Sequence, residues 1–140
     1  MSRRFGSVEE LLADARSRLS RLRPAQAADA VSGGARLVDI RPSWQRQREG
    51  EIPGALIVER NHLEWRLHPQ SDARLPLAVE GQQWIVVCFE GYTSSLAADA
   101  LLSLGIPATD IVGGYAAWRD DGLPTTCGAT PVEQLVPSGR

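Results

Sequence analysis

Four short apolar runs limit what this 140-residue chain can fold into. They lie in the segments 36–42, 55–58, 82–88 and 108–114, and stretches with helical patterns or turn residues separate them. Continuous runs of Val, Ile and Leu are typical of strands that are buried on both faces of a parallel sheet. The alternation of such strands with helices predicts an α/β fold with helices on both faces of the sheet.

The N-terminal segment has the pattern of an amphipathic helix. Ser7 and Glu10 form a capping box. The following apolar residues share one helical face: Leu11, Leu12, Ala15, Leu19 and Leu22. The arginines fall largely elsewhere, which favours a solvated basic face and leaves a partner-binding helix open: Arg16, Arg18, Arg21 and Arg23.

The composition excludes several kinds of chemistry. All 15 basic residues are arginine, so Schiff-base catalysis by lysine and a Walker-type phosphate loop are excluded. The net charge of −2 argues against broad nucleic-acid binding. His62 and His68 have no cysteine nearby in sequence, so we expect no metal site and no cofactor. Without a long apolar run or a signal-peptide pattern, the two cysteines indicate a cytoplasmic protein that does not act at a membrane.

Cys88 is the residue with the clearest chemical potential. It ends the third apolar run, and a loop containing Gly91 leads from it into a helical pattern that Thr93, Ser94 or Ser95 could cap. Unpaired N–H groups at a helix N-terminus favour a thiolate or a persulfide anion. On these residues alone, a nucleophile and a buried core cysteine remain equally open.

The chain resembles the single-domain rhodanese-like sulfurtransferase family at four places in the same order. "LVDIRP" is similar to the family's Asp-x-Arg strand segment, and "EGEIPGA" to its Gly-His-Ile-Pro-Gly-Ala turn. "CFEGYTSS" is similar to the active loop Cys-x-x-Gly-x-Arg/Thr. "GGYAAW" with "GLP" resembles the closing Gly-Gly-x-x-x-Trp and Gly-x-Pro pattern. The resemblance covers roughly residues 24–125.

What the resemblance implies is a central parallel sheet of about five short strands in a rhodanese-like domain over residues 24–126. A helical extension over residues 1–23 and a flexible tail over residues 127–140 would flank this domain. Cys88 would carry sulfur from a small-molecule or protein persulfide donor to a thiol or cyanide-like acceptor. The matched loop residues would cradle it: Phe89, Glu90, Gly91, Tyr92 and Thr93. Asp39 and Arg41 match positions that support the loop.

Some positions depart from the family's pattern. Glu51 replaces the histidine of the turn, at a position that we interpret as structural. The loop has no basic residue, and Glu90 adds negative charge, which disfavours thiosulfate as the donor. The related cysteine-dependent phosphatases need a longer loop that ends in Arg, and this chain has Ser94 at that position.

The remaining alternative function is a non-catalytic rhodanese-like binding module. We interpret Cys127 as an incidental thiol.

An irregular segment follows the second apolar run. Loops at this position in α/β proteins often reach the ligand site. We therefore predict that one or more of its large side chains line the pocket, with surface ion pairing as the alternative. The candidates are Arg60, His62, Trp65, Arg66 and Arg74, with Arg60 and Arg66 the expected substrate-binding residues.

Overall fold

The computed structural model describes residues 4–131, and the structural statements below concern that part of the chain. Its sheet contains β1 (Arg36–Asp39), β2 (Leu56–Ile57), β3 (Trp84–Val87) and β4 (Ala108–Asp110). The strand order is β2-β1-β3-β4, and all neighbouring strands are parallel. The predicted α/β class with a parallel sheet is therefore confirmed.

Six α-helices accompany the sheet. They are α1 (Val8–Arg16), α2 (Pro24–Ser32), α3 (Ser43–Glu49), α4 (Leu63–Leu67), α5 (Thr93–Ser103) and α6 (Gly114–Asp120), and a 3₁₀ turn at Arg60–His62 leads into α4. No helix within residues 4–131 is both long and apolar enough to cross a bilayer.

The sheet has four strands where about five were expected. At the outer edge of β4, where a fifth strand would lie, only one residue pairs with the sheet. Leu22 forms an isolated parallel bridge with Ile111 beside β4. Its N–H donates to the Asp110 carbonyl at 3.1 Å, and its carbonyl accepts from the Val112 N–H at 2.8 Å. Pro24 begins α2 two residues later and has no N–H to donate, so the pairing stops there.

Both faces of the sheet are buried, as the continuous apolar runs predicted. Leu37, Ile85 and Val87 contribute to a core that also contains residues of α2 and α6. Val38 and Val86 belong to the opposite core, which contains residues of α4 and α5. Successive residues of a strand point to opposite faces, so β1 and β3 each contribute side chains to both cores.

The strand order places a crevice at the carboxyl ends of β1 and β3. β1 pairs with β2 on one side and with β3 on the other, so the chain connections leave β1 and β3 in opposite directions. Ligands of open α/β sheets bind at this type of switch point. Arg41 follows β1 and Cys88 follows β3, so both lie at this edge of the sheet.

The N-terminal segment is shorter as a helix than its apolar pattern indicated. α1 ends at Arg16, and the Ser17 hydroxyl donates to the Asp14 carbonyl at 2.6 Å just beyond it. Leu19 and Leu22 lie outside the helix, but Leu19 packs against the core on the α5 side and Leu22 against the core on the α6 side.

Glu51 anchors the start of the C-terminal segment. Thr126 forms an antiparallel bridge with this residue, and the Thr130 hydroxyl donates to its carboxylate at 2.6 Å. The buried carboxylate also forms an ion pair with Arg46, and these contacts are consistent with the interpretation of Glu51 as a structural residue. The domain boundaries at residues 23 and 126 stay predictions, and residues 1–3 and 132–140 lie outside the described part of the chain.

Candidate active site

The sulfur of Cys88 accepts two backbone hydrogen bonds from the loop that follows β3. The N–H of Gly91 lies 3.2 Å from Sγ, and the N–H of Ser94 lies 3.4 Å from it. Gly91 has a φ of +85°, and a Cβ there would lie 2.9 Å from the Ile111 carbonyl oxygen. The loop therefore needs glycine at this position to curl around the sulfur.

The start of α5 differs from the sequence expectation. Thr93, Ser94 and Ser95 were candidates for the cap, but the helix begins at Thr93 and the preceding Tyr92 makes no capping side-chain bond. The hydroxyls of Ser94 and Ser95 instead donate to Asp110 Oδ2, each at 2.7 Å. Because Cys88 Sγ accepts the Ser94 N–H, the sulfur takes the place of a capping oxygen.

Asp110, at the end of β4, connects this helix start to the N-terminal segment. Its carboxylate is fully buried and accepts from Arg21 Nε at 2.8 Å and from Arg21 Nη2 at 3.2 Å. Sequence reasoning missed this residue. The sequence feature that could have identified it is an acidic residue at the C-terminal end of a predicted strand, where α/β proteins place residues of their sites.

Two arginines of the N-terminal segment converge on the carbonyl oxygen of Gly91. Arg16 Nη2 lies 2.6 Å from this oxygen and Arg21 Nη2 lies 2.9 Å from it. The expectation of a solvated basic face is wrong for these two residues, because the active loop supplies carbonyl and hydroxyl acceptors. Arg18 keeps an exposed position and pairs with Asp14 and Asp99.

The groups that Arg16 contacts directly are neutral. Its Nε donates to the Ser95 hydroxyl at 3.0 Å, and its guanidinium lies 5.7 Å from the centre of the Tyr92 ring. Burial, followed by the nearby positive charge of Arg21, lowers the pKa of Arg16 from its ordinary value. The electrostatic interactions of Arg16 with Asp110, Tyr92 and Cys88 raise its pKa and offset part of this decrease.

A cavity of about 280 Å³ opens beside Cys88. Its lining comes from the ends of β1 and β3 and from the nearby helices: Ile40, Arg41, Pro42, Gln45, Cys88, Phe89, Glu90, Tyr92 and Thr93. The cavity therefore brings together five of the six residues of the predicted nucleophile and cradle, and the sixth, Gly91, donates to Sγ. This space leaves room for a small group beside the Cys88 sulfur.

Arg41 contributes little free positive charge to the cavity. Its guanidinium binds the Asp39 carboxylate at 3.0 and 2.6 Å, and it also binds Glu49 at 3.0 Å. Burial lowers the pKa of Arg41, but the hydrogen bonds and charges of Asp39 and Glu49 outweigh it and raise the pKa overall. Glu90 lies exposed in the same lining, so the immediate charge balance of the cavity is negative.

The irregular segment is absent from the lining of this cavity. Arg60 pairs with Glu64 at 2.8 Å, and buried Arg66 donates to the Ala73 carbonyl. Arg74 donates to the Ser71 carbonyl at 2.9 Å. His62 and Trp65 also contribute no lining residue, and Trp65 borders a separate cavity of about 520 Å³ with His68 and Leu104. The three arginines bind partners close in sequence, and none of them lines the cavity beside Cys88.

The N-terminus of α6 supports the other side of the loop. The Tyr115 N–H donates to the Cys88 carbonyl at 2.8 Å, and the Ala116 N–H donates to the Phe89 carbonyl at 2.9 Å. Gly114 has a φ of +60°, and a Cβ there would lie 2.6 Å from both carbonyl oxygens. The Gly-Gly pair before α6 thus permits this close approach.

Residues 4–131 contain no group of three or more His, Cys, Asp or Glu arranged to hold a metal ion. The group at the site with the clearest chemical potential is the Cys88 thiol, whose sulfur accepts backbone N–H groups at the N-terminus of a helix. It lies in an α/β domain with a parallel sheet. The model of the Rhodanese-like domain matches residues 23–121. This match extends over more than half of the sequence, and the chain belongs to the rhodanese-like family.

Solved structures of similar proteins agree with this assignment. A protein of unknown function from Rhodopseudomonas palustris, described as a possible tyrosine phosphatase, is 32% identical with a TM-score of 0.78. The alignment covers 89% of this chain and 98% of that one. A thiosulfate sulfurtransferase from Pseudomonas aeruginosa is 26% identical with a TM-score of 0.66, over 82% of this chain and 21% of that one.

A rhodanese-related protein from Thermoplasma volcanium supports the fold alone, at 19% identity and a TM-score of 0.61. That alignment covers 76% of this chain and 97% of the other. A search of curated proteins found no match.

Proposed function

We propose that this protein is a sulfurtransferase in which Cys88 carries sulfane sulfur as a persulfide. The supporting observation is that Cys88 Sγ lines a cavity and accepts the N–H groups of Gly91 and Ser94. Hydrogen-bond donors fixed by the fold stabilise a thiolate or persulfide anion without having to reorganise during the reaction.

The chemistry needs no metal and no separate oxidant. The Cys88 thiolate attacks the outer sulfur of the donor, a new S–S bond forms at Cys88, and the donor's S–S or S–sulfonate bond breaks. The electron pair leaves with the rest of the donor, as a thiolate from a persulfide or as sulfite from thiosulfate. An acceptor thiolate or cyanide then attacks the outer sulfur of Cys88, and Sγ leaves with its electron pair.

The charges around the cavity favour donors that are not small dianions. Arg41 is neutralised by Asp39 and Glu49, and Glu90 lies exposed in the lining. A low-molecular-weight or protein persulfide suits this surface better than thiosulfate. We propose that the protein is cytoplasmic, because the reducing cytoplasm contains abundant thiols that can accept the sulfur.

The description of the Rhodopseudomonas protein raises phosphate transfer as a second possibility. In this chain the helix begins at Thr93, and Ser94 stands where the phosphatase pattern has a closing Arg. The Ser94 hydroxyl donates to Asp110, and the guanidinium groups of Arg16 and Arg21 bind the Gly91 carbonyl. These contacts occupy the groups that could bind phosphate, so we favour sulfur transfer.

Mass spectrometry tests the proposal directly, because the chain has only two cysteines. After incubation with a glutathione persulfide donor, the wild type and Cys127→Ser are expected to gain one sulfur atom, and Cys88→Ser is expected to gain none. Cyanide should then remove the added sulfur as thiocyanate. An unmodified Cys88 with every donor would contradict the proposal and favour a binding module, and hydrolysis of p-nitrophenyl phosphate that requires Cys88 would favour the phosphatase.

A further inference from the structure

The peptide group between Gly91 and Tyr92 is held from outside the loop by residues far away in sequence. Its carbonyl oxygen accepts from Arg16 at 2.6 Å and from Arg21 at 2.9 Å. The Ser95 hydroxyl lies farther away at 3.3 Å and has a closer acceptor in Asp110 at 2.7 Å. The two guanidinium groups are therefore the main donors to this oxygen, and charge-assisted hydrogen bonds of this kind are strong.

The orientation of this carbonyl determines the direction of the next N–H. In a trans peptide the C=O and the N–H point in opposite directions, and the chain has no cis peptide among the described residues. The Gly91 oxygen faces the arginines, whereas the Gly91 N–H faces Cys88 Sγ. The Tyr92 N–H, in the same peptide group as the Gly91 carbonyl, consequently points away from the two arginines.

We propose that Arg16 is a positioning residue for the reaction at Cys88. Its charge polarises and orients the Gly91–Tyr92 peptide so that the Tyr92 N–H can donate to the outer sulfur once the persulfide has formed. This role rests on the proposed sulfur transfer, and we expect the positive charge of Arg16 to assist attack by Cys88 before any sulfur is bound. Polarisation of hydrogen-bonded groups by a neighbouring charge strengthens the donor.

Arg16 suits this role better than Arg21 because of their different partners. The charge of Arg21 is compensated by Asp110 at 2.8 Å. The contacts of Arg16 are with the Gly91 carbonyl, the Ser95 hydroxyl and the Tyr92 ring, and none of these groups carries a full negative charge. Its positive charge is therefore less compensated than that of Arg21, since Asp110 acts on Arg16 only through space, whereas it forms an ion pair with Arg21.

The test compares Arg16→Met with Arg16→Lys and with Arg18→Met, all in a Cys127→Ser background. Arg18 is a matched control, because it pairs with Asp14 and Asp99 and therefore joins the same segment to α5 without touching the loop. The first readout is the rate at which neutral iodoacetamide alkylates Cys88 at pH 7, which needs no sulfur donor. The second is kcat and KM for transfer from glutathione persulfide to cyanide, with melting temperatures measured for each variant.

Arg16→Met is expected to lower the alkylation rate and kcat by about fivefold, which corresponds to the weakening of one charge-assisted hydrogen bond, with a smaller change in KM. Arg16→Lys should recover at least half of both rates, and Arg18→Met should stay within about twofold of the parent at a similar melting temperature. Equal alkylation rates for Arg16→Met and Arg18→Met, or no recovery with Arg16→Lys, would overturn the proposal. If the parent transfers no sulfur, the proposed function fails, while the alkylation rates still decide the role of Arg16.

Discussion

The hydroxyl of Ser94 donates to the carboxylate of Asp110 across 2.7 Å, and both side chains are fully buried. This contact joins the start of α5 to the end of β4, directly behind the loop that surrounds Cys88. The N–H of Ser94 also donates to Cys88 Sγ, so the same residue links the buried carboxylate to the reactive sulfur.

Ser94→Ala is expected to lower the free energy of unfolding by about 2 kcal/mol, because buried Asp110 loses one hydrogen-bond donor that water does not replace. Urea denaturation followed by tryptophan fluorescence measures this change. Ser103→Ala is the control, since Ser103 is an exposed residue of the same helix whose hydroxyl donates only to the Asp99 carbonyl. Equal midpoints for the two variants would show that the Ser94–Asp110 contact does not stabilise the fold.

Arg41→Lys is expected to destabilise the protein by roughly 2 kcal/mol. Lysine is a point charge and cannot bind both oxygens of Asp39 together with Glu49 and the Gly50 carbonyl, as the guanidinium does. Arg48→Lys, on the exposed side of α3 over Trp44, should change stability by less than about 0.5 kcal/mol. A denaturation series in which both variants behave alike would contradict the supporting role of Arg41.

Glu90→Arg is expected to lower the KM for thiosulfate by about two- to fivefold, because it replaces a negative charge in the cavity lining with a positive one. The effect is modest since Glu90 is exposed, and higher ionic strength should reduce it. Glu80→Arg makes the same charge change at an exposed residue outside the lining and serves as the control. Efficient use of thiosulfate by the wild type, with no change in the variant, would show that Glu90 does not select among donors.

Deletion of residues 1–22 is expected to lower the melting temperature by roughly 10 °C. The deletion removes the packing of Leu19 and Leu22 and leaves Asp110 without Arg21. Differential scanning calorimetry of the two chains measures the difference. An unchanged melting curve would instead indicate that the segment is a separate docking helix.

The sheet and the position of Cys88 at its carboxyl edge could be predicted from local patterns. Continuous apolar runs identified β1, β2 and β3, because burial on both faces requires them. The fourth strand was placed in the segment 108–114, but its apolar residues Ile111 and Val112 follow β4. Cys88 was identified because it ends such a run before a glycine-containing loop. The expectation that a hydroxyl would cap α5 failed for a physical reason. The sulfur accepts the Ser94 N–H, and Asp110 binds the Ser94 and Ser95 hydroxyls.

The network behind the loop could not be predicted from these patterns. Arg16 and Arg21 lie 75 and 70 residues from Gly91 in sequence, and Arg21 lies 89 residues from Asp110. Periodicity distinguishes an apolar face from a polar one, but it does not show which polar residues find a distant acceptor. The same limit applies to Arg60 and Arg66, whose side chains bind Glu64 and the Ala73 carbonyl instead of lining the cavity.

The attachment of Arg16 to Gly91 also has a consequence for partial unfolding. The N-terminal segment is held by a short helix, half-buried leucines, the single Leu22 bridge and the contacts of its arginines with the loop and with Asp99 and Asp110, so we expect it to open before the four-stranded sheet. Opening of this segment would release the Gly91 carbonyl while the four-stranded sheet remains folded. The reactivity of Cys88 is then expected to fall at a lower urea concentration than the fluorescence of buried Trp84, so that the site melts before the domain that carries it.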